Sequence, residues 1–238
     1  MVKKNIKNWD NKTSLSSKKY IQSFNSFLLK QVKLNKDSKI LDIGCGRGKI
    51  LGSLSSRLKL KNKPTGIDIE KHQDKDKRII FKKIDAIEYL EKNKKNFDLI
   101  LIKQTIHLLN FKKIKKLITL CKSKLNHGGK LFILTLETSR NEIPTFSLMK
   151  KKLRESLKRD EKIIRFISQE YPRIKKRRFS FKVKISKIKY KKMIKNKYIS
   201  TLLSLSTQEI TKGIDEINSN FKKLLNFNDK LICLILKK

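Results

Sequence analysis

Three aspartates and a glycine loop are the residues whose types and spacing best suit chemistry. The loop is Gly44-Cys45-Gly46-Arg47-Gly48, within Ile40–Leu51 (ILDIGCGRGKIL). It leaves an apolar run and opens a helix-spaced segment, so backbone N–H groups and a helix dipole face whatever sits there. Asp42 stands two residues ahead of Gly44. A carboxylate at that point repels a pyrophosphate and welcomes an ammonium. Asp68 closes a second apolar run (TGIDIE), 20 residues after Gly48, where a carboxylate accepts both hydroxyls of a ribose. Asp85 follows a third run (KKIDAIEYL), where its carboxylate and the neighbouring backbone can meet an adenine amino group. A dinucleotide fingerprint needs glycine at position 49, where Lys49 stands, and no G-K-[ST] follows at P-loop spacing. Each feature also has an ordinary structural explanation. Glycines serve tight turns, and Asp68 or Asp85 could cap a helix. Their joint occurrence at the ends of strands along one sheet edge favours a ligand.

The elements that must position these residues are legible in the hydrophobic pattern. Helical spacing in Tyr20, Ile21, Phe24, Phe27, Leu28 and Val32, with Trp9 ahead of it, predicts an N-terminal helix. Strands are predicted at 39–43, 65–69, 78–81, 97–102 and 130–136, the last ones near-continuously apolar as in strands buried on both faces. Between them lie helical stretches from Ile50 to Leu58, from Ala86 to Leu90 and from Phe111 to Leu125, the last ended by Gly128-Gly129. After Glu137 the alternation breaks. Helices are predicted at 147–158, 161–170, 190–205 and 208–225, and strands at 179–188 and 230–236. The fold class that follows is α/β: a seven-stranded, doubly wound, mostly parallel sheet.

An ammonium, a ribose and an adenine without phosphate describe S-adenosylmethionine (SAM). In order and spacing, the segments ILDIGCGRGKIL, TGIDIE, KIDAIEYL, FDLILIKQTIHLL and LNHGGKLFILTLE resemble the class I SAM-dependent methyltransferases over about residues 20–137. The later tail is similar to the small-molecule branch of that family. The resemblance implies a Rossmann-like sheet with an antiparallel last strand. It implies one domain over 1–238: an N-terminal helical cap (1–35), a SAM-binding core (36–137), and substrate-side helices with the last two strands (138–238). Cap and C-terminal elaboration are both expected over the acceptor pocket. By the same resemblance Gly44, Gly46 and Gly48 wrap the methionine part, with Cys45 among them. Asp42 contacts the ammonium side, Asp68 takes the ribose, and Asp85 with Ala86 takes the adenine, with Ile69 also among the cofactor-binding residues. Lys103 and Gln104 line the sulfonium side by position.

A sulfonium methyl is already activated, so the protein mainly aligns an acceptor and excludes water. A base is needed only where the acceptor must lose a proton. His107 in IKQTIHLL is the leading base candidate; its alternative is a helix-face histidine bonded to backbone. Glu137, ending the fifth strand, is the second candidate, and a helix cap is its alternative. His72 and His127 read as solvent-facing loop residues. No [ND]-P-P-[YF] follows the fourth strand, which disfavours clamped amide or adenine-N6 methylation. None of Cys45, Cys121 and Cys233 follows the fourth or fifth strand, which disfavours a cysteine-nucleophile enzyme. The three cysteines make no metal pattern, so no metal is expected, and they read as reduced cytoplasmic thiols. No apolar run is long enough to span a membrane, and the basic N-terminus lacks the apolar core of a signal peptide.

The net charge is +40, from 61 basic and 21 acidic residues. Residues 151–198 hold 20 basic and 4 acidic side chains, about twice the basicity of the whole chain. Only ten of the basic residues are arginine, so a lysine-rich coding bias is one explanation. The segment 171–197 interleaves Tyr171, Phe179, Phe181 and Tyr190 with lysines and arginines, which would suit RNA. It would equally suit a solvated edge strand with Phe181, Val183 and Ile185 turned inward, or a basic lid over an anionic substrate. The leading expectation is methyl transfer to a small metabolite, with an anionic one among the candidates. The alternatives are an RNA acceptor bound through 171–197 and a SAM-binding protein without catalysis.

Overall fold

The computed structural model describes residues 17–238; Trp9 and the first part of the expected cap lie outside them. Helix α1 (Lys18–Gln31) starts where the Ser17 hydroxyl accepts the Tyr20 N–H at 3.2 Å. It buries Tyr20, Ile21, Phe24 and Leu28, the spacing of one helical face. The alternating core follows as β1 (Ile40–Ile43), α2 (Lys49–Leu58), β2 (Thr65–Asp68), β3 (Ile80–Lys83), α3 (Ala86–Lys92), β4 (Phe97–Lys103), α4 (Phe111–Ser123) and β5 (Leu125–Leu136). The C-terminal part contains α5 (Ser147–Glu170), β6 (Lys175–Ser186), α6 (Lys187–Lys195), α7 (Thr207–Asn220) and β7 (Leu224–Lys237). Short 3₁₀ turns occupy Ile106–Leu108 and Ser200–Leu202.

The seven strands form one sheet in the order β3-β2-β1-β4-β5-β7-β6. Strands β1 to β5 pair in parallel, and β7 runs antiparallel to both β5 and β6. The expected sheet and its reversed last strand are therefore present. The strand order reverses between β1 and β4, where open α/β sheets hold ligands at their carboxyl ends. All four β1 residues are buried, so Asp42 is a carboxylate inside an otherwise apolar strand.

Several boundaries differ from the sequence reading. The two helices expected across 147–170 are a single helix of 24 residues, because nothing at Arg159-Asp160 breaks the backbone pattern. Strand β3 starts two residues later than expected. Gly128-Gly129 do not end α4; the helix stops at Ser123. Those glycines form an irregular stretch inside β5, where the register with β4 shifts between Phe97 and Leu99. Strand β6 begins at Lys175 rather than Phe179 and β7 at Leu224 rather than Lys230, because the paired hairpin holds polar residues in its ladder that hydropathy alone leaves out.

Two apolar layers cover the sheet. One joins α1 and α2 to Met149 and Leu153 of α5 and to β6, α6 and α7. The other joins α3 and α4 to Ile163 and Ile167 of α5. Helix α5 thus passes from one layer to the other, and Asp160 lies where it passes. Phe179 of β6 meets Tyr20 and Phe24 edge-on, at centroid distances of 5.6 and 5.2 Å, an arrangement that aromatic quadrupoles favour. Thus α1 is locked onto the β6 end of the sheet, and β6 is the solvated edge strand, with Val183 and Ile185 buried and Lys182 and Lys184 exposed. Among the described residues no helix is long and apolar enough to cross a membrane.

Candidate functional site

The carboxyl ends of β1, β2 and β4 surround a cleft of about 1570 Å³, counting the solvent space at its open side. Ten of the eleven cofactor residues expected from sequence line it: Asp42, Gly44, Cys45, Gly46, Asp68, Ile69, Asp85, Ala86, Lys103 and Gln104. Gly48 does not. Its left-handed φ of +69° caps α2, and a Cβ there would meet Ile79 Cδ1 at 2.1 Å, so packing and helix entry explain this glycine. Gly44 is equally constrained: φ is +72°, and an added Cβ would sit 2.1 Å from Thr105 Oγ1. Gly46 is different. A Cβ there would meet nothing within 4 Å, so its backbone opens on free space.

Electrostatics set the carboxylates apart. Burial pushes the Asp42 carboxyl up to about 7; the Lys103 ammonium opposes this and the Asp68 carboxylate adds to it. Burial also acts to raise Asp68, but the His72 side chain and the N–H groups of Glu70 and Gly46 outweigh it and hold the carboxyl below its ordinary value. Those N–H groups donate to Asp68 at 3.0 and 2.9 Å, which ties the tip of β2 to the glycine loop. Asp85 accepts from the N–H groups of Ile87 and Glu88 at 2.8 and 3.2 Å. It is a helix cap, and it also lines the cleft. His72 is not a solvent-facing residue. It is only 4% exposed, and its Nε2 lies 3.5 Å from Asp68. The sequence KHQDKD hides this, since lysines and aspartates flank it. Burial pushes the Cys45 thiol up, as do Asp42 and Asp68, so it is no nucleophile.

Gln104 adopts a left-handed φ of +52° at the end of β4, the kind of strain that proteins retain at functional sites. Its N–H donates to Leu134 O at 2.8 Å, and its side chain accepts from Lys103 Nζ at 3.1 Å. Gln104 and Leu108 also line a second cavity of about 950 Å³, counting its mouth. His107 lies on this cavity, with Thr135, Asp160, Tyr198, Phe227 and Asp229. Burial pushes the His107 imidazole down, against Asp160 and with Arg159, which favours the neutral ring. Glu137 is not brought to either cavity. It is buried under Arg178, whose Nε donates to it at 2.9 Å, and accepts from Ser139 Oγ at 3.1 Å. The cap helix contributes Ile21 to the first cleft and nothing to the second. His127 is exposed, as expected.

Residues 40–129 match the family model of a methyltransferase domain. Residues 40–129 thus carry a methyltransferase domain. No protein of curated function matches the sequence. Similar solved structures share the fold. The plantazolicin methyltransferase BpumL in complex with SAH is 17% identical, with a TM-score of 0.52, over 97% of this chain and 88% of that one. A putative methyltransferase from an antibiotic biosynthesis pathway of Anabaena variabilis is 13% identical, with a TM-score of 0.60, over 88% and 95%. A SAM-dependent methyltransferase from Archaeoglobus fulgidus is 22% identical, with a TM-score of 0.50, over 92% and 94%. The donor set of the cleft fits SAM: buried and half-buried carboxylates rather than a phosphate cradle, and open space over Gly46. Among the described residues no cluster could hold a metal ion.

Proposed function

We propose that the chain methylates a small molecule held in the inner cavity. The observation that supports this is the junction at Gln104 and Leu108, where the cofactor cleft meets a second, mostly apolar cavity. Asp42 would take the ammonium of SAM, Asp68 the ribose, and Ile69, Asp85 and Ala86 the adenine end. When bound, SAM supplies an electrophilic methyl group that needs no further activation. The protein's own part is to exclude water and to align the acceptor. Leu136, Ile143, Tyr198 and Phe227 shape the chamber. His107, whose imidazole burial pushes down, is one group on its wall able to accept a proton.

The basic segment contributes little to this chamber. Of residues 171–197 only Lys197 lines it, while Lys175, Lys176 and Arg177 are exposed on the edge strand. A metabolite acceptor is therefore favoured over RNA. Filling the chamber tests the assignment. Ile143→Trp should abolish methyl transfer to the small solutes of a cell extract and leave SAH affinity unchanged. Undiminished transfer would show that the acceptor binds elsewhere.

A further inference from the structure

The inner cavity holds two carboxylates with oxygens that nothing in the protein satisfies. Asp160 is 2% exposed. Its Oδ2 accepts from Thr135 Oγ1 at 2.6 Å, and its Oδ1 has no hydrogen-bond partner. Asp229 is 4% exposed, and its Oδ2 is likewise without one. Both residues line the chamber. A buried acceptor left empty costs its full desolvation penalty, so such groups call for an explanation.

The positions of these residues show that they are not solvated surface charges. Asp160 occupies the buried stripe of α5 that runs through Met149, Leu153, Ile163 and Ile167. Asp229 occupies the inward register of β7, between Phe227 and Leu231. An apolar side chain would satisfy packing at either place.

Nearby charges pull on both, but burial outweighs them and raises both carboxyls. Arg159 is exposed and its Nη2 donates to Leu109 O at 3.0 Å. Lys197 donates to the carbonyl oxygens of Leu203 and Leu205. Lys103 and the Tyr20 hydroxyl act on Asp229 from the cofactor side. His107, whose imidazole burial pushes down, interacts electrostatically with Asp160. The chamber therefore presents two carboxylates amid apolar walls, although the chain as a whole carries +40.

We propose that the acceptor carries a cationic nitrogen group, an amine or amidine on an apolar body, and that Asp160 with Asp229 anchors that group. This inference rests on the reading of the chamber as the acceptor site. It replaces the anionic candidate suggested by overall charge, since an anion here would face two carboxylates. Burial raises the Asp160 carboxyl against the pull of Thr135, His107 and Arg159, and a bound cation would offset that burial. The anchored nitrogen need not be the atom that is methylated.

Three shape-matched probes test the proposal on the full chain: phenylpropylamine, phenylpropanol and phenylpropionate, titrated by calorimetry with SAH present. The amine should bind at least tenfold tighter than the alcohol, and the acid most weakly. Asp160→Asn should weaken the amine about 10- to 100-fold, the scale of one hydrogen bond to a charged group, and leave the alcohol within about twofold. If Asp160→Asn does not fold, Asp229→Asn should lower amine affinity in the same sense. SAH affinity is read separately in each variant and should not change, so failure of the cofactor cleft would be distinguishable from failure of the anchor. An amine that binds no better than the alcohol, a preference for the acid, or indifference of amine affinity to these variants would overturn the proposal.

Discussion

Replacing Asp68 with alanine removes two functions at once, and the structure separates their sizes. The carboxylate accepts the Gly46 and Glu70 N–H groups at 2.9 and 3.0 Å. Both donors sit on the rim of an open cleft, so water can replace part of what they lose. About 1 kcal/mol for each is reasonable, which lowers the melting temperature by roughly 4–8 °C in a domain of this size. The ligand loses more. Two ribose hydroxyls bonded to a carboxylate are worth roughly 1.5–3 kcal/mol each. The expected rise in the SAH dissociation constant is therefore about 100- to 10,000-fold. Asp68→Asn keeps one acceptor oxygen and should lose only about 10- to 100-fold. Titration calorimetry with SAH, beside scanning calorimetry of the apo protein, measures both effects. An Asp68→Ala protein that melts lower yet binds SAH within threefold of wild type would refute the placement of the ribose on Asp68.

Gly44→Ala should be worse tolerated than Gly46→Ala. At position 44 the new methyl meets Thr105 at 2.1 Å in a left-handed backbone, costing about 2–5 kcal/mol, whereas at position 46 only the backbone term applies. Thermal unfolding of Gly44→Ala with and without Thr105→Gly checks this, since the second change should restore part of the loss. Asp42 governs pH behaviour. Its carboxyl is raised from 3.8 to about 7 in the fold, so its contribution to stability is present below the unfolded value and is lost as pH rises through about 7. Apo Asp42→Asn should therefore exceed wild type in melting temperature at about pH 8, with the gain shrinking as pH falls. SAH affinity of the wild type should rise as pH approaches 7, where the ionised carboxylate meets the ammonium, and Asp42→Asn should flatten that slope. Salt reports on the acceptor's sign. With a net charge of +40, raising ionic strength from about 0.05 to about 0.5 M should increase kcat/KM for a cationic acceptor and decrease it for an anionic one.

The sheet was legible because buried parallel strands are apolar without interruption. The runs at Phe97–Ile102 and Leu131–Leu136 announce themselves. The cofactor cleft was legible for a related reason: Asp42 and Asp68 are carboxylates where an apolar strand ends, and only a ligand or a cap explains them. At Gly48 a glycine's type does not say whether a ligand or Ile79 needs the space. The inner cavity was hidden. His72, Asp160 and Asp229 sit among charged neighbours, and composition makes such stretches look solvated. A signal existed all the same. Positions 149, 153, 160, 163 and 167 keep helical spacing, and 225, 227, 229, 231 and 233 keep strand alternation. An aspartate on each apolar register marks a buried polar group. What no pattern carried was that these two registers, 69 positions apart, line one cavity with His107.

The most direct test of the central claim uses purified protein, methyl-labelled SAM and an extract of the cells it comes from, fractionated into small solutes, RNA, protein and lipid. Label in the small-solute fraction, lost in Asp68→Ala, is the expected result. Label confined to an RNase-sensitive fraction would contradict the account and turn attention from the inner chamber to the exposed lysines of the β6 edge.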